Sequence, residues 1–295
     1  MKNVVVTGGN GFVGSNLIKR LVKENYNVGV IEKSGIKITE LKEVEEKITV
    51  HYYDGNINKL IKFFEDMGKI QTVYHLASFV LNSHSYEHIT SLIESNITFG
   101  NHLLEAMYIS KCHKMINTST YWQHYNNELY NPVNLYSATK EAFEKIIDFY
   151  TEAKNFNVIT LELFDNYGEN DKRKKIMNLL KDSFLYNKEL KTTKGEQYID
   201  ILHVDDLIEG YLSANKLLEN NYKHTKYMLS SGERKTLKEI IQIFEKITNK
   251  SLNIKYGAIE YKEREIMIPW EEGRQLPNWS PKLSLEEGIK KFLGY

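Results

Sequence analysis

The sequence predicts an α/β fold, a doubly wound parallel sheet with a smaller, discontinuous C-terminal lobe. The first observation is the start of the chain, where the β-branched run 4–6 is followed by three glycines and then by apolar residues at helical spacing. The second is that further short apolar runs, such as 73–76 and 158–161, alternate with helical patterns, as in βαβ units. A chain of 295 residues can also bury a large core and form one large domain or two lobes.

The composition argues against several classes of protein. The 39 basic and 39 acidic residues cancel, so no overall field attracts nucleic acid. No apolar run approaches the ~18 residues of a membrane span, so we expect no membrane partner. The single cysteine, Cys112, excludes an intrachain disulfide and fits a reducing compartment, and the chain begins with a strand rather than a signal peptide. We therefore expect a cytoplasmic protein without a metal site.

The turn after the first strand carries glycine at Gly8, Gly11 and Gly14, with Phe12 and Val13 between the last two. A strand, a glycine-rich turn and a helix form the layout that binds the diphosphate of a dinucleotide in Rossmann-type folds. Gly8 can adopt backbone angles that a side chain resists, Gly11 lets the backbone approach a phosphate oxygen, and Gly14 lets the helix pack on the strand. The helix N-terminus adds unpaired N–H groups and a positive dipole end. These five residues are the predicted diphosphate site.

The second predicted strand, Asn27 to Ile31, ends at Glu32. A carboxylate at this position can accept hydrogen bonds from both ribose hydroxyls of an adenosine, which favours NAD. The next residues, Lys33 and Ser34, could instead hold a 2′-phosphate, which favours NADP. The sequence thus predicts an NAD(P)H cofactor, with NAD narrowly preferred.

Tyr136 and Lys140 are four residues apart in a long helical pattern, so their side chains share one face of the helix. A cation beside a phenol favours the phenolate and lowers the phenol pKa from about 10 towards working pH. Such a phenol can donate or accept a proton for an alcohol–ketone pair. A hydroxyl at the end of the preceding strand would complete the site, and Thr118, Ser119 and Thr120 all qualify chemically.

Residues 7–14, spaced Gly-x-x-Gly-x-x-Gly, closely resemble the opening of the extended short-chain dehydrogenase/reductases. That family comprises nucleotide-sugar epimerases, dehydratases and ketoreductases. Tyr136 and Lys140, placed after the fifth strand, match the same family. The resemblance implies that both residues also contact the cofactor, with Lys140 holding the nicotinamide ribose. The resemblance implies a nucleotide-diphosphate sugar as substrate and a homodimer. It also places Thr120 at the catalytic position, with Thr118 as the second choice.

The resemblance implies further contacts to the cofactor and the substrate. In the family, an acid near the glycine after the third strand contacts the adenine. The fourth strand passes beside the nicotinamide ribose, and an Asn in the next long helix lies behind the active site. The matching residues here are Asp54 or Asn56, Leu76 and Ala77, and Asn96, with Ser78 on the substrate side.

The residues after Thr120 narrow the reaction that the resemblance implies. Dehydratases of the family carry an Asp and a Glu there, whereas this chain has Tyr121 and Trp122. The combined 3,5-epimerase/reductases need a Cys and a His near the sugar, but Cys112 lies before the fifth strand. Ketone reduction, alcohol oxidation and 4-epimerisation remain. The segment 121–125 and the short loop after it look like the subgroup of CDP-abequose and CDP-paratose synthases, which reduce a 4-keto-6-deoxy sugar nucleotide.

The resemblance is looser in the second half of the chain. The departures are Glu162 for Arg, Asp165 for Asn, Glu169 for Pro and Ile199 for Arg. Asp165 and Asn166 are predicted to contact substrate, since Asn166 can supply the missing amide. Because the family's Arg at position 199 clamps the substrate diphosphate, another cation must take that role, and Arg173 and Arg264 are the candidates.

We predict a nucleotide-binding domain over residues 1–165, joined by about 199–220, and a substrate lobe over the remainder of 166–295. The predicted reaction is NAD(P)H-dependent reduction of a 4-keto sugar nucleotide. The nearest alternative is a 4-epimerase that keeps its NAD and returns the hydride to the opposite face of the sugar. A non-catalytic NAD(P)-sensing regulator is the alternative from another class, since fold does not fix function.

Overall fold

The computed structural model describes residues 1–219 and 223–295. The strands are β1 (Asn3–Thr7), β2 (Asn27–Lys33), β3 (Ile48–Tyr53), β4 (Ile70–His75), β5 (Lys114–Thr120), β6 (Asn157–Leu163), β7 (Asp165–Tyr167), β8 (Leu190–Lys191), β9 (Tyr198–His203), β10 (His224–Leu229), β11 (Arg234–Thr236) and β12 (Ile254–Lys255). The α-helices are α1 (Phe12–Lys23), α2 (Ile57–Asp66), α3 (Ile89–Ile93), α4 (Phe99–Ile109), α5 (Leu135–Lys154), α6 (Ile176–Tyr186), α7 (Val204–Leu218), α8 (Leu237–Thr248) and α9 (Leu285–Leu293).

Within the described residues, seven strands form one parallel sheet in the order β10-β6-β5-β4-β1-β2-β3. The chain starts in the middle of this sheet and winds outwards in both directions, which confirms the predicted doubly wound fold. Two strand ends differ from the prediction. The second strand continues through Glu32 to Lys33, and the fourth ends at His75, so Leu76 and Ala77 belong to the loop that follows it.

Helices cover both faces of the sheet, and each face buries its own apolar core. On one face, α1 and α7 pack Leu17, Leu21 and Tyr211 among the side chains of the central strands. On the other face, α2, α4 and α5 contribute a second set, including Phe64 and Phe143. This burial of apolar surface between two layers of helix fixes the position of the strand ends that carry the predicted site.

A smaller lobe follows in the second half of the chain. Its three-stranded sheet places β9 parallel to β7 and antiparallel to β11, and β8 pairs with β12. The helices α6, α8 and α9 enclose a third apolar core beside these strands. Strand β10, although it comes from the predicted substrate lobe, joins the edge of the large sheet beside β6. The division that we propose therefore adds 224–229 to the nucleotide-binding domain. The end of the predicted segment at residue 220 lies outside the described residues.

Candidate active site

A cavity of about 550 Å³ lies at the carboxyl ends of the central strands of the large sheet, beside β7. The chain reverses its winding direction between β1 and β4, and ligands of open α/β sheets bind at such a point. The predicted residues in the lining are Gly8, Gly11, Phe12, Val13, Gly14, Leu76, Ser78, Thr120, Tyr136, Lys140, Asp165, Asn166 and Arg173. The structure thus brings most of the predicted cofactor and substrate residues to one cavity.

The glycine-rich turn has the geometry of an anion site. Gly8 has a φ of +72°, and a Cβ there would lie 2.8 Å from the backbone of Ala77. A Cβ on Gly14 would lie 2.2 Å from the carbonyl oxygen of Gly8. Gly11 caps α1 without any side-chain hydrogen bond, and the first intrahelical bond runs from Ser15 N–H to the Gly11 carbonyl. The N–H groups of residues 12–14 therefore remain available to a diphosphate, so this turn fits the implied dinucleotide.

Glu32 lies at the end of β2, next to the glycine-rich turn. It is 6% exposed, and its Oε1 accepts a hydrogen bond of 2.6 Å from the backbone N–H of Asn10. Burial raises the pKa of Glu32, although backbone hydrogen bonds oppose this shift. Lys33, in contrast, is exposed. The carboxylate is thus fixed beside the turn.

Asp54 and Asn56 have local structural partners and lie outside the cavity lining. Asp54 accepts hydrogen bonds from the backbone N–H of Asn56 and from Lys59 Nζ. Asn56 caps α2 by accepting from the backbone N–H groups of Asn58 and Lys59. Their predicted contact with adenine remains a prediction.

Tyr136 and Lys140 lie in the first turns of α5, where Asn134 and Ser137 form a capping box. Both line the cavity, and their side chains are 8% and 2% exposed. The Trp122 ring meets the Tyr136 ring edge-on, with centroids 6.1 Å apart. The cap fixes the start of the helix and so fixes both side chains at the cavity wall.

Burial, rather than the neighbouring cation, dominates the proton affinity of the phenol. It raises the pKa of Tyr136 to about 12, and a hydrogen bond with Ser78 opposes this shift only in part. Burial also lowers the pKa of Lys140 to about 8, against the opposing charge of Glu144. The predicted lowering of the Tyr136 pKa is therefore wrong for the protein alone, because desolvation penalises the phenolate more than its surroundings stabilise it.

The three hydroxyls at the end of β5 have different partners. Thr118 Oγ1 lies 2.7 Å from the Tyr211 hydroxyl, and Ser119 Oγ donates to Glu144 Oε1. Thr120 Oγ1 accepts a longer bond of 3.3 Å from the backbone N–H of Trp122. Because an accepted bond leaves the hydroxyl proton of Thr120 available, this residue is best placed to donate to a substrate oxygen.

Asn96 lies behind the cavity, in a π-helical segment, Glu94–Thr98, that interrupts the predicted long helix between α3 and α4. Its Oδ1 accepts from Ser78 Oγ at 3.0 Å and from the backbone N–H of Phe79 at 2.8 Å. Its Nδ2 donates to the Phe79 carbonyl and to Thr139 Oγ1. Asn96 therefore ties the loop after β4 to α5 and orders the backbone beside Tyr136.

Arg173 connects the smaller lobe to the glycine-rich turn. Its guanidinium lies 4.4 Å from the ring centroid of Phe12. Its Nη2 donates to two oxygens of Asn166, the backbone carbonyl oxygen at 3.0 Å and the side-chain Oδ1 at 2.9 Å. The Asp171 carboxylate holds the same guanidinium from another side, with Nε–Oδ1 at 2.8 Å. The cation is thus held in the cavity lining.

Lys175 is a site residue that the sequence analysis missed. It lines the cavity, and its Nζ lies 3.3 Å from Asp165 Oδ1 and 5.7 Å from the centroid of Trp122. Asp165 also accepts a hydrogen bond of 3.2 Å from the Tyr121 hydroxyl. The signal was present in the basic run 172–175, but such runs usually form solvated faces.

The structure does not bring Arg264 into the cavity lining. Its guanidinium donates to Asn131 Oδ1 and lies 4.3 Å from the ring centroid of Tyr125. The predicted contact between Arg264 and the substrate diphosphate remains a prediction. In the part of the chain that the structure describes, the cations in the cavity lining are Lys140, Arg173 and Lys175.

Residues 1–219 and 223–295 contain neither a cluster of metal-ligating side chains nor a membrane-spanning helix. No group of three or more His, Cys, Asp or Glu side chains there is placed to hold a metal ion. No helix in these ranges is long and apolar enough to cross a membrane.

The family model described as the NAD dependent epimerase/dehydratase family matches residues 4–230 of the chain. The chain belongs to this family. Membership confirms the predicted extended short-chain dehydrogenase/reductase type. Enzymes of this type use a nicotinamide cofactor, and the geometry of the glycine-rich turn fits such a cofactor.

Relatives within the family span nearly the whole chain. The CDP-abequose synthase of Salmonella muenchen is 28% identical over 297 residues, which cover 99% of this chain and 97% of that protein. The CDP-abequose synthase of Yersinia pseudotuberculosis is also 28% identical, with 98% and 99% covered. The structure of UDP-glucuronic acid 4-epimerase from Bacillus cereus, with NAD and UDP-4-deoxy-4-fluoro-glucuronic acid, superposes with a TM-score of 0.85 at 25% identity. That superposition covers 99% of this chain and 98% of the epimerase.

Proposed function

We propose that this chain reduces the 4-keto group of a 4-keto-6-deoxy sugar nucleotide with a reduced nicotinamide cofactor. The observation that carries the proposal is the chemistry of the cavity wall after Thr120. Tyr121 and Trp122 stand where dehydratases of the family carry two acids. Among the described residues that line the cavity, Asp165 carries the only carboxyl group, and Lys175 and Tyr121 hold it. Acid–base dehydration therefore lacks its pair of groups, and hydride chemistry at one carbon remains.

In this proposal the bound cofactor supplies the hydride. The Tyr136 hydroxyl donates a proton to the oxygen at C4, and the Thr120 hydroxyl donates a hydrogen bond to the same oxygen. Lys140, one turn along α5, supplies a positive charge that favours the Tyr136 phenolate formed in this step, and it holds the nicotinamide ribose. A pKa of about 12 keeps Tyr136 protonated at neutral pH, which is the state that a reduction needs.

The charges that the smaller lobe places at the cavity support a nucleotide-diphosphate sugar as the class of substrate. Arg173 and Lys175 provide two cations at the cavity. They can replace the Arg that the family carries at the position of Ile199, where this chain has no charge. Trp122 and Phe164 add aromatic surface to the same lining. The nucleotide base can be identified by ranking the thermal shifts that CDP, UDP, dTDP and GDP produce, because binding to the folded state stabilises it by mass action.

The alternative of a 4-epimerase is favoured by one observation, the full-length superposition on the Bacillus cereus enzyme with a TM-score of 0.85. A non-catalytic NAD(P) sensor is disfavoured, because Thr120, Tyr136 and Lys140 meet at one cavity and a sensor needs none of them. The CDP-abequose synthases of Salmonella muenchen and Yersinia pseudotuberculosis support the reductase.

We further propose that NAD(H) is narrowly preferred over NADP(H), since Glu32 is fixed beside the glycine-rich turn and Lys33 is exposed. A homodimer in the cytoplasm completes the proposal. Exposed apolar side chains on α4 and α5, including Tyr108, Ile109 and Phe149, offer a surface for a second copy. Light scattering coupled to size-exclusion chromatography tests the dimer.

The reaction is tested by following the absorbance of the reduced nicotinamide. A reductase exchanges its cofactor every cycle, so a 4-keto sugar nucleotide should consume one reduced nicotinamide per sugar. An epimerase regenerates its cofactor in place and consumes none in net amount. Interconversion of two 4-hydroxy sugar nucleotides without net change in absorbance would assign the chain to the epimerases.

A further inference from the structure

Lys226, on β10, lies in a cluster of carboxylates from two other elements. Its Nζ lies 2.7 Å from Glu144 Oε2 on α5 and 3.4 Å from Glu162 Oε1 on β6. The same Nζ lies 3.4 Å from Glu141 and donates to Gln123 Oε1 at 3.0 Å. Glu144 and Glu162 are each 2% exposed, whereas the Lys226 side chain is 31% exposed, so a half-buried ammonium group meets two buried carboxylates.

Glu144 connects this cluster to the proposed catalytic residues. It lies one helical turn after Lys140 on α5, and its charge opposes the lowering of the Lys140 pKa by burial. Its Oε1 accepts hydrogen bonds from Ser119 Oγ and, at 2.8 Å, from Gln123 Nε2. Because Ser119 directly precedes Thr120 on β5, the same carboxylate holds the strand end that carries the proposed hydroxyl donor.

A carboxylate that is buried away from water stays ionised when a cation is paired with it. Burial alone would raise the pKa of Glu144, but Lys226 outweighs burial and lowers it. Burial alone would likewise lower the pKa of Lys226, but Glu144 and Glu162 outweigh it and raise it. The ammonium group therefore keeps the Glu144 carboxylate charged in a place where water does not.

We propose that Lys226 is a positioning residue, which keeps Glu144 ionised and fixed and thereby keeps Lys140 protonated at the cavity wall. The effect on turnover rests on the proposed function, whereas the effect on Lys140 does not. The titratable groups that face these residues are Tyr136, Glu141 and Lys145 on α5, Glu162 on β6, His124 after β5 and His75 on β4.

The test measures the titration of Lys140 itself. Wild type, Lys226→Met, Glu144→Gln and the double variant are acylated with trace acetic anhydride across pH, and the modified Lys140 peptide is quantified by mass spectrometry. The apparent pKa of Lys140 should fall by about 0.5 to 1 unit in each single variant. The double variant should fall no further than Lys226→Met, because in the absence of Lys226 the Glu144 carboxyl group is already neutral.

Lys226→Arg should retain the wild-type titration. Lys145→Met is the matched control, since Lys145 is an exposed lysine on the same helix, paired with Glu141 and Asp148. It should leave Lys140 unchanged. In an active enzyme, the basic limb of the kcat–pH profile should move to lower pH with the Lys140 titration.

An apparent pKa of Lys140 that is unchanged or raised in Lys226→Met or in Glu144→Gln, or an equal fall in Lys145→Met, would overturn the proposal. If Lys226→Met does not fold, Lys226→Gln takes its place as the variant that removes the ammonium group. Acylation needs no turnover. A wild-type protein that is inactive on every 4-keto sugar nucleotide therefore defeats the proposed function while this test remains decisive.

Discussion

The hydroxyl oxygens of Thr118 and Tyr211 lie 2.7 Å apart and join the end of β5 to helix α7. Thr120, two residues further along the same strand, faces the same cavity without such a partner on α7. Alternation along a strand gives the two threonines the same face, so their positions alone do not separate them. Their hydrogen bonds differ: the Thr118 hydroxyl is paired with the Tyr211 hydroxyl, whereas the Thr120 hydroxyl accepts a bond and keeps its own proton available to donate.

Replacing each threonine by valine should therefore affect a different property: turnover for Thr120 and stability for Thr118. Thr120→Val should lower kcat by about 10-fold or more, because the substrate oxygen loses a donor. Thr118→Val should lower the free energy of unfolding by about 1–3 kcal/mol, because the buried Tyr211 hydroxyl loses its partner, while kcat changes little. Turnover and urea unfolding measured on both variants check this. Loss of turnover in Thr118→Val alone would exchange the two roles.

Tyr136→Phe should cut kcat by roughly 10²-fold or more while leaving cofactor binding near wild type, because only the transferable proton is removed. The control is Tyr150→Phe, a buried tyrosine on the same helix whose hydroxyl donates to Glu105. Steady-state kinetics and cofactor titration on both variants give the answer. Turnover of Tyr136→Phe within a few-fold of wild type would remove this residue from the mechanism.

Glu32→Ala should weaken NAD(H) binding by about 10-fold, since hydrogen bonds from the ribose hydroxyls to a carboxylate are lost. Lys33→Ala, at the neighbouring exposed position, is the control and should leave NAD(H) binding unchanged. Fluorescence titrations with both cofactors measure the effect. A clear wild-type preference for NADP(H), abolished in Lys33→Ala, would show that Lys33 rather than Glu32 sets the cofactor.

The pH dependence of reduction follows from the two buried groups on α5. Tyr136, with a pKa of about 12, stays protonated through the neutral range and sets no limb there. Lys140, with a pKa of about 8, loses its charge as the pH rises through that value. The kcat of reduction should therefore be level below about pH 7 and fall above about pH 8. A kcat that rises through this range would indicate that a deprotonated group acts instead.

The parts of the site that depend on local sequence were predictable. The glycine-rich turn and the pair Tyr136 and Lys140 each lie within one short segment, where spacing alone fixes geometry. The choice between Thr118 and Thr120 could not be made from the residues alone, because it depends on Tyr211, which lies 93 residues along the chain from Thr118.

The remaining differences have the same origin in long-range packing. The raised pKa of Tyr136 comes from its enclosure by several elements, which a one-turn spacing does not reveal. Lys175 lines the cavity and Arg264 lies against Tyr125, because the path of the loops in the smaller lobe determines where each side chain lies. The position of β10 beside β6 likewise depends on a pairing between distant segments.

The most direct test of the central claim follows the hydride. Wild type is incubated with a 4-keto-6-deoxy sugar nucleotide and reduced nicotinamide carrying deuterium at C4, on each face in turn, and the product is analysed by mass spectrometry and NMR. We expect one deuterium at C4 of the product sugar, from one face of the nicotinamide only, with stoichiometric oxidation of the cofactor and far slower transfer by Tyr136→Phe. Product without deuterium from either face, or no product while two 4-hydroxy sugar nucleotides interconvert, would contradict it.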